Sequence, residues 1–186
     1  IYYIYIYIYI YIGTNKKDEK YMQQFFSDVE IVKKNITFIK QAAKAVTEIN
    51  HRVALATTNA KEIELSEELT PLLKDANKKA TLAKKILQEL RDETENMKSG
   101  SDASKQAAEI RIRDNLVNTL TRKFVDVMKE YQNVQQKYKQ DIKKKVKRQV
   151  QIVKPDATTE EIDAVMKSDG GTSELFKTAI LKVYNE

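Results

Sequence analysis

Cysteine and tryptophan are absent from this 186-residue sequence, which has one histidine, two prolines and four glycines. Without thiols neither a disulfide framework nor a thiolate metal site can form, and the chain suits a reducing compartment. The lone His51 has no ligand set around it and reads as a solvated helix position. So few glycines and prolines remove the punctuation that a many-stranded sheet needs, while a charged fraction of 32% suits long, solvent-bathed helices. The expected fold class is all-α, in one domain large enough to bury a core. Also missing are a phosphate-cradling glycine loop, a zinc spacing, a nucleophile elbow and a paired-carboxylate pocket. No catalytic, cofactor-binding or metal-ligating residue is therefore assigned, no cofactor is expected, and the chain does not read as an enzyme. Glu62, Glu64, Glu67 and Glu68 cluster, but acids near a helix start are accounted for by the helix dipole.

What is present begins with charge. The net charge is +6, and it is uneven. Between residues 137 and 154 stand Lys137, Lys139, Lys143, Lys144, Lys145, Lys147, Arg148 and Lys154 against a single acid, Asp141, so one end of the molecule should carry a positive field. Lys143, Lys144, Lys145, Lys147 and Arg148 form the candidate basic surface. Such a run is either a solvated helix end that complements the C-terminal dipole or an attachment to an anionic membrane surface. Nucleic acid is not the expected partner, because no aromatic stacking platform or groove-reading motif accompanies the charge.

Residues 1 to 12, IYYIYIYIYIYI, stand apart. Alternation would make a strand with Ile on one face and Tyr on the other, without charge or proline to oppose aggregation. As a helix the tract would reach roughly 18 Å, short of a hydrocarbon core of roughly 30 Å. It has neither the basic flank nor the cleavage site of a signal peptide. A TATATA repeat read in one frame encodes Ile and Tyr alternately, which explains the tract without a function. Residues 1 to 17 are set aside as a low-complexity tract and polar lead-in.

The remainder is periodic. Phe25, Val29, Val32, Ile36, Ile39, Ala43, Val46 and Val53 follow alternating steps of three and four, interrupted where Asn50 takes an apolar place, and this spacing predicts a helix over about 18–56. The sequon Asn35-Ile36-Thr37 falls on that helix and reads as coincidence. A second helix is expected over about 68–98, capped by Thr70 before Pro71 or by Ser66, with Leu69, Leu72, Ala76, Ala83, Ile86, Leu90 and Met97 on one face and Lys79 snorkelling from it. Gly100 is placed to stop it, and Ser101 or Asp102 to cap a third helix over about 103–150. That helix carries Ile110, Val117, Leu120 and then Phe124, Val127, Tyr131, Val134 and Tyr138 on one stripe. Connections this short demand an antiparallel, up-down-up three-helix bundle over residues 18–152, each helix about 50 to 60 Å long. After Pro155 the pattern changes to two short helices in residues 153–186, with Ile162, Val165 and Met166 sharing one face. Val125 and Met128 lie beside the main stripe and are candidates to line a second, partner-binding groove.

The stretch EIRIRDNLVNTLTRKFVDVMKEYQNVQQKYKQDIKKKVKRQ, followed by TTEEIDAVMKS, resembles the third helix and linker of plasma-membrane-type syntaxins, and MQQFFSDVEIVKKNI is similar to the start of their first helix. The likeness covers about residues 20 to 180 in order, with IRIRDN, LTRKFVDVM and EYQ its most specific parts. It implies the N-terminal regulatory domain of a SNARE protein, Habc, which folds back on its own SNARE helix through the groove between the second and third helices and is clasped by a Sec1-type (SM) protein. It further implies other SNAREs as partners, a role in vesicle docking, membrane fusion and exocytosis, and a place on the cytoplasmic face of the plasma membrane. The linker's apolar-acidic latch pair matches Ile162-Asp163. Two departures count: the N-terminal peptide used by SM proteins is replaced by the Ile/Tyr tract, and the SNARE motif and anchor would have to follow Glu186, which makes the chain a fragment unable to drive fusion alone. The alternative, from charge and periodicity alone, is a free-standing structural coiled coil or basic membrane-surface protein.

Overall fold

The computed structural model describes residues 16–56, 58–153, 155–156 and 158–160. Among the described residues there are three long helices, α1 Lys16–Leu55, α2 Asn59–Ser99 and α3 Ala107–Val153, and no strand. Residues 1 to 12, Lys154 and the linker residues Ile162, Asp163, Val165 and Met166 lie outside the described residues.

The chain divides into two compact units, Ile1–Asn35 with Leu82–Arg122 and Ile36–Thr81 with Lys123–Glu186, and each draws on all three helices. In the first unit the buried apolar side chains are Met22, Phe25, Val29 and Val32 of α1, Ala83, Ile86, Leu87 and Leu90 of α2, and Ile110, Val117 and Leu120 of α3. A cation sits among them. Arg113 is buried with its guanidinium 4.5 Å from the Phe25 ring centroid and Nη1 donating to Glu93 Oε2 at 3.3 Å. Its Nε lies 3.3 Å from Glu109 Oε1 but is not aligned for a hydrogen bond. The planar, weakly hydrated guanidinium tolerates this position as an ammonium would not, because it can stack on the ring while it pairs with carboxylates.

In the second unit the core is one cluster that runs from Ile39 to Val53 on α1, Leu65 to Ala80 on α2 and Tyr131 to Val146 on α3. Helix direction follows from which residues meet. Arg52 pairs with Glu68 at 2.9 Å while Lys79 Nζ stands 5.0 Å from the Phe38 ring centroid, so α2 runs against α1. Tyr131 donates to Asn77 Oδ1 at 3.3 Å while Lys145 reaches Glu62 at 2.6 Å, so α3 runs against α2. The up-down-up order expected from the short connections is thus present in this unit.

Two boundaries differ from the sequence reading. Helix α2 begins at Asn59, not near 68, and Pro71 lies inside it rather than at its first turn. The cap is Thr58, whose Oγ1 accepts from Lys61 N at 3.4 Å and whose carbonyl accepts from Glu62 N at 3.3 Å. An internal proline costs about 3 kcal/mol, since it leaves the carbonyl four residues earlier without a donor. Here Pro71 is exposed, so water can serve that carbonyl, and burying Leu65 on the added turns returns about 1.5–3 kcal/mol. Helix α3 begins at Ala107, because residues 101–106 form turns in which Asp102 O accepts from both Lys105 N and Gln106 N. Gly100 does end α2, as expected, with its N–H donating to Met97 O at 3.3 Å. Asn35 of the sequon is buried within α1, where no glycan could be attached, and His51 is exposed.

The α3 stripe is also uneven. Tyr131 and Tyr138 are buried, but Phe124, Val127 and Val134 are only partly so, packed against the core cluster from its margin. Tyr131 meets Leu73 and Asn77, so in antiparallel register Phe124 faces the level of Ala80, a side chain too short to cover a phenyl ring.

Candidate functional site

Helix α3 beyond residue 123 carries every sequence-derived site residue that the structure describes. Val125 is 41% exposed, whereas Met128 is half-buried against the core cluster, so only the valine offers an open apolar surface. Of the basic run, Lys143, Lys144, Lys147 and Arg148 are exposed, and Arg148 Nε donates to Lys144 O at 3.3 Å.

Lys145 does not belong with them. It stands seven residues after Tyr138, hence on the buried stripe, and its side chain is 14% exposed. All three ammonium donors are used: Glu62 Oε1 at 2.6 Å, Val53 O at 2.8 Å and Ala56 O at 2.9 Å. One cation from α3 therefore caps the carbonyl end of α1 and pairs with an acid in the first turn of α2. Each contact also suits a helix dipole, positive charge at the C-terminus of α1 and negative charge at the N-terminus of α2. Glu62, read from sequence as a dipole contribution only, is 12% exposed and is this cation's partner. One turn away Asn50 Nδ2 donates to Asp141 Oδ2 at 2.8 Å, which explains the interruption in the α1 stripe.

The two buried tyrosines give the unit an alkaline limit. Burial raises the Tyr131 hydroxyl from its ordinary value of 10.0 to about 12, an effect that Gln135 beside it offsets only in part. Burial, followed by the negative charge of Glu62, pushes Tyr138 up as well. For an acid whose folded pKa exceeds its unfolded one, the stabilising contribution is complete below the unfolded value and disappears as pH rises through the folded one. Stability is expected to hold below pH 10 and to fall steeply between 10 and about 12, as these phenols ionise preferentially in the unfolded chain. Urea midpoints measured across that window check this; Tyr131→Phe with Tyr138→Phe should flatten the decline, and an unchanged slope would count against the burial.

Among the described residues no group of His, Asp or Glu side chains is placed to hold a metal, and no helix is long and apolar enough to cross a membrane. The features with chemical content are an open apolar position on α3, an exposed basic face and a buried Lys145–Glu62 pair that ties α3 to α2, all carried on an all-α scaffold. The chain belongs to the syntaxin family, whose model, described as Syntaxin, matches residues 19–180. Its fold is similar to a chain in the crystal structure of the Unc18-syntaxin 1 complex from Monosiga brevicollis, with a TM-score of 0.72, 23% identity and coverage of 88% of this chain and 78% of that one.

Proposed function

We propose that this chain is the regulatory N-terminal domain of a syntaxin-like SNARE that binds a Sec1-type (SM) protein and controls vesicle docking and membrane fusion at the cytoplasmic face of the plasma membrane. The family match over residues 19–180 carries the reading, and the likeness of the fold to a syntaxin solved with Unc18 supports the SM partner. In the closed form the SNARE helix lies along α3 over Val125, with the margin of Met128 beneath it, and the Ile162-Asp163 pair of the linker acts as the latch. Release of the SNARE helix then frees it for other SNAREs.

The test uses the full-length protein that carries the SNARE helix, with the cognate SM protein and partner SNAREs. Binding of the SM protein by calorimetry is expected for the wild type. Replacing Ile162 and Asp163 by Ala is expected to speed partner-SNARE association roughly ten- to a hundredfold, the shift that loss of one buried Ile produces in a closed-to-open equilibrium. No SM binding by a folded protein would overturn the partner, and an unchanged association rate would overturn the latch.

A further inference from the structure

At one end of the second unit, large aliphatic side chains face solvent beside the basic run. Leu55 is 67% exposed, Ile63 45% and Ile152 82%. Lys145 sets Leu55 and Ile63 at one level. Leu55 lies between Val53 and Ala56, whose carbonyls accept from the Lys145 ammonium, and Ile63 follows Glu62, its carboxylate partner. Ile152 is seven residues, about 10 Å of helix, beyond Lys145 on α3.

The charge around these residues is cationic. Lys144, Lys147 and Arg148, all within three residues of Lys145, are exposed. Three acids of the adjoining helix are held by other cations, Glu62 by Lys145 at 2.6 Å, Glu64 by Lys61 at 2.7 Å and Glu68 by Arg52 at 2.9 Å, while Glu67 on that helix and Asp156 beyond α3 are exposed. On α3 itself Asp141 accepts from Asn50. Lys144, Lys147 and Arg148 thus face outward, near apolar side chains that the fold does not cover.

We propose that this end of the bundle docks on an anionic bilayer surface, with Leu55, Ile63 and Ile152 entering the headgroup boundary and Lys144, Lys147 and Arg148 meeting lipid phosphates and carboxylates. A lipid interface takes both kinds of group at once, since its affinity scales with buried apolar area plus attraction to anionic headgroups. The exposed apolar residues are aliphatic, so they give single-stranded nucleic acid no ring to stack on.

Flotation of the full 186-residue chain with vesicles of phosphatidylcholine, alone or with phosphatidylserine, tests the assignment. Binding is expected to require phosphatidylserine and to weaken with salt. The triple change Lys144→Gln, Lys147→Gln and Arg148→Gln should lower partitioning about a hundredfold, at about fivefold per cation. Leu55→Ser, Ile63→Ser and Ile152→Ser together should lower it at every salt concentration; if that variant melts early, Ile152→Ser alone is the substitute. Equal binding to neutral vesicles, wild-type binding by both sets of variants, no vesicle binding at all, or preference for an oligonucleotide over the anionic vesicles would each overturn the proposal.

Discussion

Replacing Lys145 by alanine is expected to lower the unfolding free energy by about 3–5 kcal/mol, the range for breaking a buried ion pair by removing one partner. The Glu62 carboxylate, 12% exposed, would be left without its cation, and the Val53 and Ala56 carbonyls would lose the donor that caps α1. Desolvation makes the pair costly to break but does not make it indispensable. Lys145→Met with Glu62→Gln removes both charges and should recover most of the loss, because an apolar or neutral replacement no longer strands a charge. Lys147→Gln, on the exposed face of the same helix, should stay within about 0.5 kcal/mol of wild type. Urea denaturation of the four proteins provides the comparison. Equal, small losses for Lys145→Ala and Lys147→Gln would mean that the clamp does not form.

Tyr131→Ala is the second large effect, at about 3–5 kcal/mol for removing a buried aromatic ring. The ring lies fully inside the second unit's core, and its hydroxyl donates to Asn77 Oδ1 at 3.3 Å and to Leu73 O at 3.5 Å. These are long bonds, so Tyr131→Phe should lose only about 0.5–1.5 kcal/mol, the net value of an ordinary hydrogen bond. Phe124→Ala should fall clearly below Tyr131→Ala, because Phe124 is only partly buried although it shares the stripe. Thermal unfolding followed by circular dichroism ranks the three. A loss from Phe124→Ala as large as that from Tyr131→Ala would show that the ring is covered after all.

Much of the fold is legible in the chain's periodicity. Steps of three and four between apolar residues are a local property, and they locate α1 and most of α2 and α3. Even the misplaced start of α2 has a readable remedy: Leu65 continues the stripe four residues before Leu69, and Thr58 is a good cap, but the pairing of Thr70 with Pro71 offers a stronger local start signal. The proline is accepted inside the helix because its face meets water while Leu65 meets the core.

The buried charges leave a fainter trace. Lys145 is seven residues after Tyr138, Glu62 seven before Leu69 and Asn50 seven after Ala43, so each occupies a place where the period calls for an apolar side chain. Inside a run of lysines or a cluster of glutamates such a position is easily taken for part of the solvated set, which is why the basic run reads as one surface with Lys145 in it.

By itself, then, the sequence determined that the chain is all-α, that it forms three long amphipathic helices and which family it resembles, because helical period and motif order are contained within short stretches of one chain. Only the tertiary structure decided which charges are inside and which are out. Whether Lys145 points to water or to Glu62 depends on the ends of two other helices arriving at the same level, a coincidence of residues 53, 56, 62 and 145 that no local period encodes. The same meeting of helices leaves Leu55, Ile63 and Ile152 uncovered near Lys144, Lys147 and Arg148, since Leu55 and Ile63 flank the clamp on faces turned from the core and Ile152 lies about two turns beyond it on α3.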